Sequence, residues 1–165
     1  MSPLISVIIP TFNRSDLLER ALKSVLNQSY KNYEIIIVDN NSTDKTRKII
    51  DKYKISNLKV ETVNNHGVIA LSRNVGLNSS NGKFVAFLDS DDWWEKDKLK
   101  KSVEVFNSRP EVDLIYHNCF LTSKKNKKIS NCRILKDDSY KDLLVNGNTI
   151  ITSSVVVKKK ILNQI

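Results

Sequence analysis

Residues Ile35-Ile36-Ile37-Val38 form an unbroken β-branched run. Branching at Cβ disfavours a helix, and a strand made of such residues is apolar on both of its alternating faces. It must be covered on both sides, as strands are in a parallel sheet held between helices. The rest of the chain supplies that setting. Residues 4–9, 33–38, 58–63 and 83–88 read as strands. Ser15 is expected to cap a first helix bearing Leu17, Leu18, Ala21, Leu22, Val25 and Leu26 on one face. Residues 43–53 predict a second helix. Residues 68–78 predict a third, with Leu71 and Val75 inward, and residues 95–107 a fourth. A further strand is expected over 112–116. This alternation implies right-handed crossovers and an α/β fold with a mostly parallel central sheet and flanking helices. Beyond residue 117 the regularity fades into an extended segment (129–135), a short helix (140–145) and a strand (149–157), followed by the opening of another helix.

A chain of 165 residues is the size of one domain and buries roughly 70% of its unfolded surface. Its 40% apolar and 27% charged residues, with only 4 Gly and 3 Pro, exclude disordered and collagen-like classes. The apolar runs fall far short of the ~18 residues that span a bilayer. Met1-Ser2-Pro3 leads straight into strand-like sequence, so no export signal is expected. Cys119 and Cys132 form neither CxxC nor ligand spacing, which suggests inert thiols in a reducing compartment. A cytoplasmic location, against the inner face of the membrane, is the expectation.

The net charge of +9 is uneven: residues 1–92 carry 12 basic and 10 acidic side chains, residues 93–165 carry 15 and 8. Lysine clusters at 98/100/101, 124/125/127/128 and 158–160 make the difference. Such clusters are ordinarily solvated faces; the sharper reading is attraction to an anionic membrane surface. They lack interleaved aromatics, so nucleic acid is not expected as a partner.

In an open parallel sheet, ligands bind beyond the carboxyl ends of the strands. Those ends here are Pro10-Thr11-Phe12-Asn13-Arg14, Asp39-Asn40-Asn41-Ser42, Asn64-Asn65-His66-Gly67 and Asp89-Ser90-Asp91-Asp92. Three carboxylates in four residues repel one another unless a cation or strong donors compensate, and their oxygens suit Mg²⁺ or Mn²⁺. In an extended stretch Asp89 and Asp91 point to one side. Asp92 with Glu95 equally fits a helix capping box. Asp39 can accept from a base imide N–H, or can serve a local Asx-turn. Arg73 follows a turn at the ligand end, where a pyrophosphate or base contact is credible. His66 and His117 lack partners for a metal or triad and read as structural. No GxGxxG, GxxxxGK[ST] or GxSxG occurs.

The segments Val7–Arg14, Glu34–Asp44, Gly67–Gly76 and Phe87–Trp94, in that order, resemble the opening of the family 2 glycosyltransferases. The resemblance implies a GT-A fold, a nucleotide-sugar donor (commonly a UDP-sugar), a divalent metal and inversion at the anomeric carbon. It places Pro10, Thr11 and Arg14 beside the nucleotide, Asp39 on the base and Arg73 on the base or pyrophosphate. Asp89 falls on the ribose side, Asp91 on the metal with Asp89 nearby, and Asp92 beside the donor sugar. A glycan or lipid-linked acceptor in bacterial surface polysaccharide synthesis is the implied setting.

The likeness is strong over 4–110 and weaker after it. It suggests one GT-A-type domain truncated at its C-terminus, with 1–110 as the nucleotide-sugar-binding part and 111–165 as the start of the acceptor side. Family members place the catalytic base after a strand like Thr152–Val157 and its following helix. No acid follows Asp142 here, so the base is expected beyond Ile165. Three other readings are weighed. A nucleotidyltransferase would need a Gly-rich basic loop after the first strand, and a phosphoacceptor receiver an acidic pair where Pro10-Thr11 stands. A nucleotide-binding remnant without transferase activity fits the missing base.

Overall fold

In the computed structural model, residues 2–53, 55–123, 126–136, 138–162 and 164 are described. The elements run β1 (Ile5–Thr11), α1 (Ser15–Leu26), β2 (Tyr33–Asp39), α2 (Thr46–Lys52), β3 (Leu58–Thr62), α3 (Ile69–Asn78) and β4 (Phe84–Phe87). Then come α4 (Lys98–Ser108), β5 (Leu114–Ile115), β6 (Cys119–Thr122), β7 (Lys127–Ser130), α5 (Ser139–Asn146), a 3-10 turn (Thr152–Ser154), β8 (Val156–Lys158) and α6 (Lys159–Leu162).

The β-branched run forms β2, paired parallel to β1 from Ile5 opposite Tyr33 to Thr11 opposite Asp39. Every residue of both strands is buried. The main sheet has the order β3-β2-β1-β4-β8-β5. β1 to β4 are parallel, and β8 is antiparallel to both β4 and β5. β6 and β7 make a separate antiparallel hairpin. The pleat divides the core. Val7, Ile9, Ile35 and Ile37 meet Leu18, Leu22, Val25, Leu99 and Phe106 on one face, where Phe84 stacks on Phe106. Ile8, Ile36 and Val38 meet Val75 and Leu77 of α3 on the other.

Local chemistry corrects several expectations. Ser15 is the first helical residue and Arg14 occupies the cap; the Ser15 N–H donates to Asp44 Oδ2 at 3.0 Å. α2 begins at Thr46, because Asn13 Oδ1 draws the Thr43 N–H into a turn at 2.7 Å. α3 buries Ser72 and Gly76 and leaves Leu71 exposed. It packs so near the sheet that a Cβ on Gly76 would stand 2.5 Å from Ile8 Cγ2. α4 begins at Lys98, so Asp92 and Glu95 form no capping box. Residues 94–99 are instead bolted to α1 and the turn that follows it: the Trp94 N–H donates to Ser24 Oγ at 3.1 Å. Gln28 donates to Glu95 O at 2.8 Å and accepts from the Leu99 N–H at 3.0 Å. Of 149–157, only Val156 and Val157 lie in a strand, after the 3-10 turn. Of 129–135, the strand covers only Ile129 and Ser130.

The 158–160 lysines are not a common surface. Lys158 Nζ donates to Pro110 O and meets Asp113 Oδ1 at 3.0 Å, while Lys159 Nζ donates to Ser80 O at 2.6 Å. Lys160 is exposed and shares Asp113 Oδ1 with Lys158, at 3.9 Å. The expected lysines 124 and 125 lie outside the described residues.

Candidate active site

The strand order reverses between β1 and β4, and a cleft of about 450 Å³ opens at that switch point. Pro10, Thr11, Phe12 and Arg14 line it from the end of β1 and the loop after it; Asp89, Ser90 and Asp91 line it from beyond β4. Asn40, Asn65, Gly67, Ile69 and Ser72 complete the wall. The loops turn sharply there: Asn13, Asn41, His66 and Gly67 all have positive φ, the region that Asn and Gly enter most easily. Side-chain amides brace these turns. Asn40 Oδ1 accepts from the Asn65 N–H at 2.8 Å, and Asn65 Nδ2 donates to Ser72 Oγ at 2.9 Å.

Asp89 to Asp92 form a tight turn, closed by the Asp92 N–H on Asp89 O at 2.9 Å. The extended arrangement expected for Asp89 and Asp91 is therefore replaced by a turn, yet both still line the cleft. Each carboxylate meets its own guanidinium. Arg73 Nη2 donates to Asp89 Oδ1 at 2.7 Å, and Arg14 pairs with Asp91. Arg20, stacked 4.1 Å over the Trp93 ring, donates to Asp91 O at 2.5 Å. Two cations thus compensate the carboxylate repulsion that the sequence presents.

A second group of contacts holds the turn from behind. The Asp89 N–H donates to Ser153 Oγ at 3.0 Å, Trp94 Nε1 donates to Ser153 O at 2.7 Å, and Lys98 Nζ donates to Ser154 O at 3.1 Å. Lys98 is 8% exposed, and burial pushes its ammonium down to about 7.

Asp39 is buried at the end of β2, and its Oδ1 accepts from both the N–H and the hydroxyl of Ser42. The local-turn alternative is thus realised, and the next residue, Asn40, reaches the cleft wall instead. Arg73 stands behind Asp89 and Asp92 is half-buried; neither lines the cleft. Thr11 Oγ1 and Arg73 Nε are buried without a hydrogen-bond partner. Phe12, Asn40, Asn65, Gly67, Ile69, Ser72 and Ser90 were not singled out as candidates, although five of them follow strand ends. Nothing in the sequence marks Ser153, which lies 64 residues from Asp89.

Among the described residues, no cluster of three or more His, Cys, Asp or Glu is arranged to hold a metal. Asp89 and Asp91 nevertheless offer hard carboxylate oxygens from one turn at the cleft wall. That donor set fits an ion bound by one or two carboxylates and completed by phosphate oxygens.

A family model, glycosyl transferase family 2, matches residues 6–165. An uncharacterized glycosyltransferase of Haemophilus influenzae is 34% identical over 96% of this chain and 63% of its own length. The UDP-Glc:alpha-D-GlcNAc-diphosphoundecaprenol beta-1,3-glucosyltransferase WfaP of Escherichia coli is 38% identical over 72% of this chain and 47% of its own. The chain spans about half the length of the curated relatives it matches. Staphylococcus aureus TarS, solved with UDP-GlcNAc, superposes with a TM-score of 0.78 at 25% identity, covering 97% of this chain and 46% of that one. The expected GT-A architecture is the one observed. A match running through nearly the whole sheet and its cleft makes this chain a member of glycosyl transferase family 2.

Proposed function

We propose that the protein transfers a sugar, with inversion, from a UDP-sugar to a glycan or lipid-linked acceptor during synthesis of a bacterial surface polysaccharide. The observation that carries this reading is the arginine-paired acidic turn at the sheet's switch point. It offers the Arg14 guanidinium to a diphosphate and the Asp89 and Asp91 carboxylates to a metal within one cleft, with Arg73 directly behind Asp89. The relatives supply the acceptor class: WfaP is named for a diphosphoundecaprenol-linked acceptor. On this reading the protein acts at the inner face of the membrane, where a lipid-linked acceptor is met.

Pro10, Thr11 and Arg14 border the nucleotide, and all three line the cleft. Asp39 receives the base imide through its remaining carboxylate oxygen. Arg73 reaches the base or pyrophosphate, Asp89 the ribose side, and Asp92 lies beside the sugar. Asp91, helped by Asp89, holds Mn²⁺ or Mg²⁺. When bound, such an ion offsets the charge that grows on a departing diphosphate. Arg14 and Arg73 add donors to the same oxygens, which favours the leaving group over water's weaker solvation. Asp142, the last acid of the chain, is buried against Arg133 and Asn146 and is assigned no part in proton removal.

One observation favours a second reading. Asp89 and Asp91 are the only carboxylates among the described residues lining the cleft, and both are assigned to the donor. The chain would then bind nucleotide without transferring sugar. Calorimetric titration with a panel of nucleoside diphosphates, with and without Mn²⁺, tests the donor site. UDP should bind best, and weakly without metal; equal affinity for every base would remove Asp39 from its role. Sugar release from UDP-sugars separates transferase from remnant.

A further inference from the structure

Lys98 is a cation where the fold least favours one. It is buried, and it is the first residue of α4, the helix end whose backbone dipole disfavours positive charge. The first turn of α4 holds no acid, and among the described residues no carboxylate pairs with the ammonium. His117 and Cys119 are the titratable groups that face it, and neither is an anion below pH 7. A buried charge without a counter-ion destabilises a fold, and an apolar side chain of similar length would fill the space without that cost. What the ammonium holds explains its presence.

It grips the back of the acidic turn. Lys98 Nζ donates to Ser154 O at 3.1 Å and stands 4.6 Å over the Trp94 ring, while Trp94 Nε1 donates to Ser153 O at 2.7 Å. Two consecutive carbonyls are thus taken by side chains from the segment that follows the acids, and Ser153 and Ser154 lie in the 3-10 turn rather than in β8. The Ser153 hydroxyl, fixed in this way, accepts the Asp89 N–H at 3.0 Å. Asp89 lines the cleft, and Lys98 does not. We propose that Lys98 is a positioning residue: its ammonium clamps the Ser153–Ser154 turn, which in turn presents Asp89 at the cleft in one orientation. That the presented carboxylate serves a sugar donor rests on the function proposed above; the clamp does not.

The test is residue-resolved amide hydrogen exchange at about pH 6, where Lys98 is charged, alongside calorimetric titration of UDP with Mn²⁺. The Asp89 amide should exchange about tenfold or more faster in Lys98→Met. The amides of β1, which lies between β2 and β4 and reports global unfolding, should exchange no faster. UDP should bind this variant about fivefold or more weakly, although its fold is no less stable. Added to Ser153→Ala, Lys98→Met should weaken UDP binding by less than about twofold more, because Lys98 acts through Ser153. Lys100→Met, exposed on the same helix, should leave exchange and binding unchanged. Unchanged exchange at Asp89 in Lys98→Met, an acceleration that β1 shares equally, an unchanged UDP affinity, or full additivity with Ser153→Ala would each overturn the proposal. If the wild-type protein binds no UDP, the donor site fails, while exchange at Asp89 still decides the clamp.

Discussion

Arg14, at the start of α1, and Asp91, beyond β4, hold each other across the mouth of the cleft with side chains 47% and 45% exposed. An ion pair so open to water adds little to stability, so its consequence lies in binding. The guanidinium occupies the carboxylate proposed for the cation, and the carboxylate occupies the donor proposed for the diphosphate. Arg14→Gln should therefore bind Mn²⁺ alone more tightly, by about threefold or more, while binding UDP with Mn²⁺ about tenfold more weakly. Calorimetry on the metal and the nucleotide separately reads both changes. An unaltered affinity for Mn²⁺ alone would sink this exchange. Asp91→Asn should abolish the metal dependence of UDP binding.

Ser153 is the acceptor for the Asp89 N–H. Ser153→Ala leaves that part-buried donor without its partner, at a cost of about 1–3 kcal/mol. The loss should appear as a lower urea midpoint and as weaker UDP binding in Mn²⁺. Weaker binding without any stability loss would mean that Ser153 touches ligand rather than the turn.

Lys98 has a folded pKa of about 7, against the usual lysine range near 10.5, because burial penalises its charge. Between those values the unfolded chain holds a proton that the folded chain lacks, so the residue makes stability rise with pH. Below about 7 both states are protonated and the folded state bears the full cost of the buried ammonium. Urea unfolding between about pH 6 and 9 should show Lys98→Met more stable at the acidic end, with the gap closing by up to about 1.4 kcal/mol per pH unit. A gap that stays constant with pH would show that Lys98 does not titrate there.

Gly76 lets α3 approach β1 closely, and α3 carries Arg73 to Asp89. Gly76→Ala forces a methyl against Ile8 and should cost about 1–3 kcal/mol. Adding Ile8→Val should recover part of that loss, because the colliding atom belongs to the Ile8 side chain. Thermal unfolding of the three variants checks the pairing.

How much of this was readable beforehand depends on how local the cause was. The Ile35–Val38 run announces its own burial on both faces, and the parallel sheet follows from it. The residues at the end of β1 and just beyond β1 and β4 reach the cleft because a strand end has few other places to go, which brings Pro10, Thr11, Arg14, Asp89 and Asp91 to its wall. Asp39 was ambiguous between ligand and turn, and the Ser42 hydroxyl three residues on engages one of its two oxygens in the turn. Asp92 looked like a helix cap because the competing anchors, Ser24 and Gln28, lie about 70 residues away. Leu71 misled for a related reason: α3 lies so near the sheet that Ser72 and Gly76 face it, with Val75 and Leu77 packed at their side, and Leu71 is left outside. The exposed Leu144 has no local cause at all, since apolar spacing alone does not say which side of a helix meets the protein.

The antiparallel β8 sits between β4 and β5 and pairs with both. As the polypeptide emerges during synthesis, the first four strands can assemble while the flank of β4 stays open and β5 has no neighbour. Closure waits for residues about 70 positions downstream of β4, a long-range step that slows maturation and leaves an adhesive border exposed meanwhile. Chaperone dependence in the cell, and clumping on refolding at high concentration, should trace to that waiting border rather than to the cleft.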